Sequence, residues 1–174
     1  MALSKLNELY GSKFEQMAIR DHADHPRHAG ELHVGCMVDL NNPTCGDVIR
    51  LTVDIEDDKI RDIAFSGHGC TISTASSSMM TELVLGKSTE EALKLADLFS
   101  RMVMGEELAV PDDLGDAQFL KGVAKFPQRV KCATLPWNAL KKTIAQAAAD
   151  SDRGENAAQD GGSYRAQASG IHGV

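Results

Sequence analysis

The chain has 174 residues, of which 18 are Lys or Arg and 25 are Asp or Glu, for a formal net charge of −7. At 43% hydrophobic and 25% charged it has the make-up of a globular protein, with length for one domain and a tail. The acidic balance leaves no basic stripe for phosphates, which argues against nucleic acid, and no apolar run reaches the roughly 18 residues of a membrane helix.

In chain order, residues 3–19 read as a first helix, with Leu3, Leu6, Tyr10, Phe14 and Met17 spaced by threes and fours along one face. Asp21 to Gly30 ends it, because Pro26 has no N–H to donate and biases His25 out of the α region. Three strand-like runs follow, at about 32–40, 48–56 and 60–66. In the second, Ile49, Leu51, Val53 and Ile55 alternate with polar residues, the pattern of a half-buried strand. Asp57-Asp58-Lys59 is the expected hairpin loop, which pairs Glu56 with Ile60, Val53 with Ile63 and Leu51 with Phe65. A helix over Thr71–Leu85 closes on Gly86. The next opens on a capping box, Ser88 with Glu91, and presents Leu93, Ala96, Phe99 and Val103 on one face. Residues 105–118 read as a loop or short helical turns, and a last helix is expected from Pro136, a suitable first helical residue, to about Ala149. Together these predict a compact α+β domain over 1–149, a small three-stranded antiparallel sheet packed by helices, and a disordered tail over 150–174 that is poor in large apolar groups.

The opening segment lacks the apolar block and cleavage site of a signal peptide, so a cytoplasmic location is expected. In a reducing compartment four cysteines read as metal ligands or reactive thiols. The hairpin register carries Cys45, Asp47 and Cys70 to one end of the sheet. Cys45 and Asp47 flank Gly46 in a turn, where both are expected to be solvent-accessible. Cys70 lies just before a helix, whose free N–H groups favour a thiolate. Cys132 is expected one turn ahead of the Pro136 helix, with Arg129 and Lys131 adding positive charge. Three thiolates and a carboxylate suit a tetrahedral zinc-type site, although the pattern does not by itself bring Cys132 to the other three.

These residues resemble the U-type (IscU/NifU-like) iron–sulfur cluster scaffold family over residues 1 to about 149. The resemblance rests on Asn42-Pro43-Thr44-Cys45-Gly46-Asp47, on Gly67-His68-Gly69-Cys70-Thr71-Ile72-Ser73 with the small-residue run after it, and on Lys131-Cys132-Ala133. Lys131, where the Isc branch usually has His, and an insertion around 98–120 are similar to the zinc-dependent sulfurtransferase branch, SufU. The resemblance implies zinc held by Cys45, Asp47, Cys70 and Cys132, with Cys45 as acceptor of persulfide sulfur; Arg129, read from its own place, is either a surface charge or a residue that gates the site. The resemblance also implies a cysteine desulfurase of the SufS type as donor partner and the downstream Suf cluster-assembly scaffold as recipient. The other function classes are a scaffold that builds a transient iron–sulfur cluster, or holds iron, on the same cysteines, and a purely structural zinc domain.

Simpler roles stand beside these. Asp47 can stabilise its turn through its own backbone. Cys36, between Val34 and Val38, reads as packing, and Met79, Met80, Met102 and Met104 as core or partner-facing. His22, His25 and His28 recur every third residue, but Pro26 prevents a helix from aligning them as a metal site.

Overall fold

A computed structural model describes residues 2–108 and 111–159, with side chains from 13 to 108 and from 112 to 154. The order is α1 (Ala2–Asp24), β1 (Cys36–Asn42), β2 (Asp47–Glu56), β3 (Lys59–His68), α2 (Thr71–Val84), α3 (Thr89–Val103), a 3₁₀ segment (Pro111–Lys125) and α4 (Pro127–Gln159). The strands form an antiparallel sheet in the order β1-β2-β3, so the expected α+β architecture is present. Alternation on β2 and β3 buries Ile49, Leu51, Val53, Ile63 and Phe65, and α2 and α4 supply the opposing layer. Met79, Met80, Phe99, Leu114, Leu120, Trp137 and Leu140 are almost wholly buried. Burying one such side chain is worth about 1.5–3 kcal/mol. Phe99 stacks on Trp137 with ring centres 4.6 Å apart. Among the described residues no helix is long and apolar enough to cross a membrane.

Ser76 fastens α2 to α4. Its Oγ donates to the Ala133 carbonyl at 2.6 Å and accepts the Trp137 indole N–H at 3.1 Å. The neighbouring serines also bond: Ser77 Oγ donates to the Ser73 carbonyl, and Ser78 Oγ accepts the Arg27 N–H.

Several boundaries depart from expectation. Helix α1 runs on to Asp24, because the bar set by Pro26 falls on His25 and not earlier. Phe14 and Met17 are exposed, 62% and 70%, although Phe14 meets Phe119 edge-on at 5.5 Å; the face formed by Leu3, Leu6 and Tyr10 lies outside the described side chains. The first strand starts at Cys36, not residue 32. The β2–β3 turn has two residues, Asp57 and Asp58, both left-handed (φ 53° and 58°), so Glu56 pairs with Lys59 and not Ile60. A bulge next to Asp54 then restores the expected pairs Val53–Ile63 and Leu51–Phe65. On α3 the Ser88 cap is present, its Oγ accepting the Glu91 N–H, while Ala92 replaces the half-exposed Leu93 on the buried face. Residues 111–125 supply the short helical turns, kinked at Gly115.

The last helix differs most. It starts at Pro127, keeps Pro136 inside it and continues to Gln159. Proline does occupy a helix start, but it is the earlier one. Residues 150–159, expected to be disordered, are helical; the remainder of that tail, 160–174, lies outside the described residues.

Candidate metal centre

The site lies where the β1–β2 turn, the end of β3, the start of α2 and the second turn of α4 meet. Asn42 closes β1: its carbonyl accepts the Gly46 N–H at 2.9 Å and its Oδ1 accepts the Thr44 N–H at 3.3 Å. Gly46, at φ 72°, makes the left-handed step that lifts Cys45 to the exposed tip. Asp47 then enters β2 with its side chain inward and is 1% exposed. This corrects the expectation of an accessible Asp47. The carboxylate turns inward because Oδ1 accepts the Cys70 N–H at 2.8 Å and the Ser73 hydroxyl at 3.3 Å. Gly69 permits that approach: a Cβ there would stand 2.9 Å from Asp47 Oδ1 and 2.2 Å from Ser73 Oγ.

Cys70 caps α2 as expected, its sulfur accepting the Ser73 N–H at 3.4 Å, and is half-buried. Cys132 corrects another expectation. It sits inside α4, fully buried, and not ahead of a helix. Its sulfur receives the Asn42 amide at 3.8 Å and faces the Gln128 carbonyl at 3.7 Å. Because it faces the protein interior, burial first, then contact with Cys45, Asp47 and Cys70, pushes this thiol up, the reverse of the lowered value expected at a helix start. Asp47 is pulled the other way. Burial would raise it, but the hydrogen bonds from the Cys70 N–H and the Ser73 hydroxyl, with the proximity of the Cys132 thiol, outweigh that and hold the carboxyl below its ordinary range. Arg129 is exposed and lines the same cleft as Cys70, at the rim of the site, and the nearby charge of Cys70, then contact with Cys132, raises its guanidinium.

One ligand atom each of Cys45, Asp47 and Cys132 lies within 4.8 Å of the other two. The Cys70 sulfur falls outside that trio, although its backbone is bonded to Asp47. The second carboxylate oxygen, Asp47 Oδ2, is buried without a hydrogen-bond partner. A buried carboxylate with one oxygen left unpaired is costly for a protein and suits a cation. The donor set of thiolates and one carboxylate fits zinc or iron. Asn42 and Ser73 are supporting residues that the cysteine pattern did not single out; the only signal for them is their place within the motifs. The histidines do not converge: His22 Nδ1 meets Ser78, His25 meets Asp21 and His28 meets Thr81. Cys36 stands apart on β1, its thiol pushed up by burial and by Asp150.

A three-stranded sheet whose one end gathers three thiols and a carboxylate against two helices defines a domain of the U-type scaffold class. The model of the NifU-like N terminal domain matches residues 14–133, and the chain belongs to that family. It is 61% identical over 148 residues to the iron–sulfur cluster assembly scaffold protein IscU of Streptococcus pyogenes serotype M1, covering 85% of this chain and 90% of that one. It is 50% identical over 131 residues to the zinc-dependent sulfurtransferase SufU of Bacillus subtilis (strain 168), covering 75% and 89%. The crystal structure of a putative iron–sulfur cluster assembly scaffold protein for the SUF system from Fervidobacterium islandicum AW-1 superposes with a TM-score of 0.70 at 34% identity, covering 73% and 93%.

Proposed function

We propose that this chain serves iron–sulfur cluster assembly as a zinc-dependent sulfur acceptor, taking persulfide sulfur from a cysteine desulfurase onto Cys45 for delivery to a downstream assembly scaffold. The observation that carries the reading is the buried Asp47 carboxylate, which has one oxygen unpaired and lies within 4.8 Å of the sulfurs of Cys45 and Cys132. Cys45, Asp47, Cys70 and Cys132 would hold the metal. Bound zinc would keep the thiols deprotonated and guarded against oxidation. The name of the Bacillus subtilis relative and Lys131 ahead of Cys132 support the zinc reading.

The residues divide the work by how they are anchored. Asp47 is fixed by two hydrogen bonds and Cys132 by burial within α4, whereas Cys45 is exposed on a glycine-supported turn. Cys45 is therefore the thiol that can swing to a donor at least structural cost. Its thiolate attacks the outer sulfur of the donor's persulfide. A sulfur–sulfur bond forms at Cys45, the donor's breaks, and the donor cysteine leaves as a thiolate, with no net oxidation. Arg129 at the rim offers a positive charge to the incoming persulfide.

A second reading, a scaffold that carries a transient cluster on the same cysteines, is favoured by the name of the Streptococcus pyogenes relative. An exposed ligand argues against a closed structural zinc site. The test is metal and labile-sulfide analysis after anaerobic isolation, followed by mass spectrometry after incubation with a cysteine desulfurase and cysteine. One zinc per chain and an added sulfur on Cys45, lost in a folded Cys45→Ser variant, is the expected result. Stoichiometric iron and sulfide, or a sulfur adduct on the Cys45→Ser protein, would overturn it.

A further inference from the structure

Among the described residues a second group of ligating side chains converges away from the cysteines: His22 of α1, Glu82 of α2 and Asp116 of the 3₁₀ segment, one ligand atom of each within 4.8 Å of the others. The His22 ring is 1% exposed and fixed from behind, its Nδ1 lying 2.7 Å from Ser78 Oγ, which also accepts the Arg27 N–H at 2.8 Å. With the ring proton on Nδ1 and donated to Ser78, the Nε2 lone pair faces outward. It lies 2.9 Å from Asp116 Oδ2 and 3.9 Å from Glu82 Oε2. An imidazole oriented through its other nitrogen is the usual condition of a metal ligand. Both carboxylates are half-exposed, so water can complete a coordination shell. Arg27 also feels both carboxylates, but its guanidinium is held by Asp21 at 2.6 Å.

A plain His22–Asp116 hydrogen bond explains two of the three residues. It leaves Glu82, beyond hydrogen-bonding distance, bringing a second negative charge to the same nitrogen. We propose that His22, Glu82 and Asp116 form a second site for a divalent cation of the borderline-to-hard class, such as Mn²⁺ or Fe²⁺. Such an ion ties the 3₁₀ segment to α1 and α2. That segment also walls the cleft of about 680 Å³ lined by Phe119, Phe126, Cys70 and Arg129, so occupancy bears on access to the cysteine centre. The proposal does not depend on what the cysteines hold.

Mn²⁺ is the probe, because thiolates bind it poorly and zinc-loaded full-length protein leaves the cysteine centre filled. Titration followed by the electron paramagnetic resonance of free Mn²⁺ is expected to show one saturable ion per chain. Glu82→Gln and Asp116→Asn should each weaken binding by at least about tenfold, with Cys45→Ser unchanged. Both substituted positions are half-exposed, so the variants should keep their fold, which circular dichroism checks. No saturable binding up to millimolar Mn²⁺, or wild-type affinity retained in both carboxylate variants, overturns the proposal.

Discussion

Ser76→Ala removes a hydroxyl that touches no ligand of the metal centre yet holds its two helices together. Ser76 is fully buried, donates to the Ala133 carbonyl and accepts the Trp137 indole N–H. Within α4 the Ala133 carbonyl can still accept the backbone N–H one turn on. The indole N–H, on a fully buried ring, has no other partner among the described hydrogen bonds. Stranding one buried donor costs about 1–3 kcal/mol. A chain of this size loses about 2–4 °C of melting temperature per kcal/mol, so a cost near 2 kcal/mol lowers the midpoint by about 4–8 °C. Thermal scans by circular dichroism measure it, and a double-mutant cycle isolates the cause. In a Trp137→Phe background there is no N–H to strand, so Ser76→Ala should cost about 1 kcal/mol less than in the wild type. A shift within about 0.5 kcal/mol of zero, as for an exposed serine, or no coupling between the two positions, would refute the reasoning.

In zinc-free protein, timed alkylation should modify the exposed Cys45 first and the half-buried Cys70 next, with Cys36 and Cys132 last because burial raises both thiols; peptide mapping reads the order, and early labelling of Cys132 would contradict its placement in α4. Gly69→Ala should destabilise the domain by about 1–3 kcal/mol and weaken zinc binding, since its Cβ would press on Ser73 Oγ and Asp47 Oδ1. Calorimetry with and without zinc tests both effects, and wild-type values in both would show that the backbone yields freely there.

The parts of the fold legible in the sequence are those in which neighbours along the chain decide the outcome. Alternation from Ile49 to Ile55 specifies a buried face, and a slip by one residue would expose all of it, so the pairs Val53–Ile63 and Leu51–Phe65 follow. The tip of the same hairpin was not legible. Two consecutive aspartates in left-handed conformation are uncommon, and a bulge absorbs the shorter turn. Pro127 and Pro136 both satisfy the rule for a helix start, and only the packing of Trp137 on Phe99 and Ser76 shows that the later one lies inside. Composition beyond Asp150 reports that little can dock, which bears on burial but not on whether an existing helix continues. Strand register brings Asp47 against the Cys70 backbone, while the Cys70 sulfur stays outside the trio of Cys45, Asp47 and Cys132. Cys132 and the His22–Glu82–Asp116 group are assembled by contacts between distant segments, and these leave no periodic trace.

Trp137 is the only tryptophan in the chain. It lies in the core between Phe99 and Ser76, on the helix that carries Cys132. The protein thus contains one indole fluorophore, shielded from water and little more than a turn from a candidate ligand. Its emission reports on the α2–α4 interface without any label. With excitation at the red edge of absorption, where the two tyrosines do not absorb, metal uptake, partner docking and unfolding can each be followed in real time on the unmodified chain from one known place in the structure.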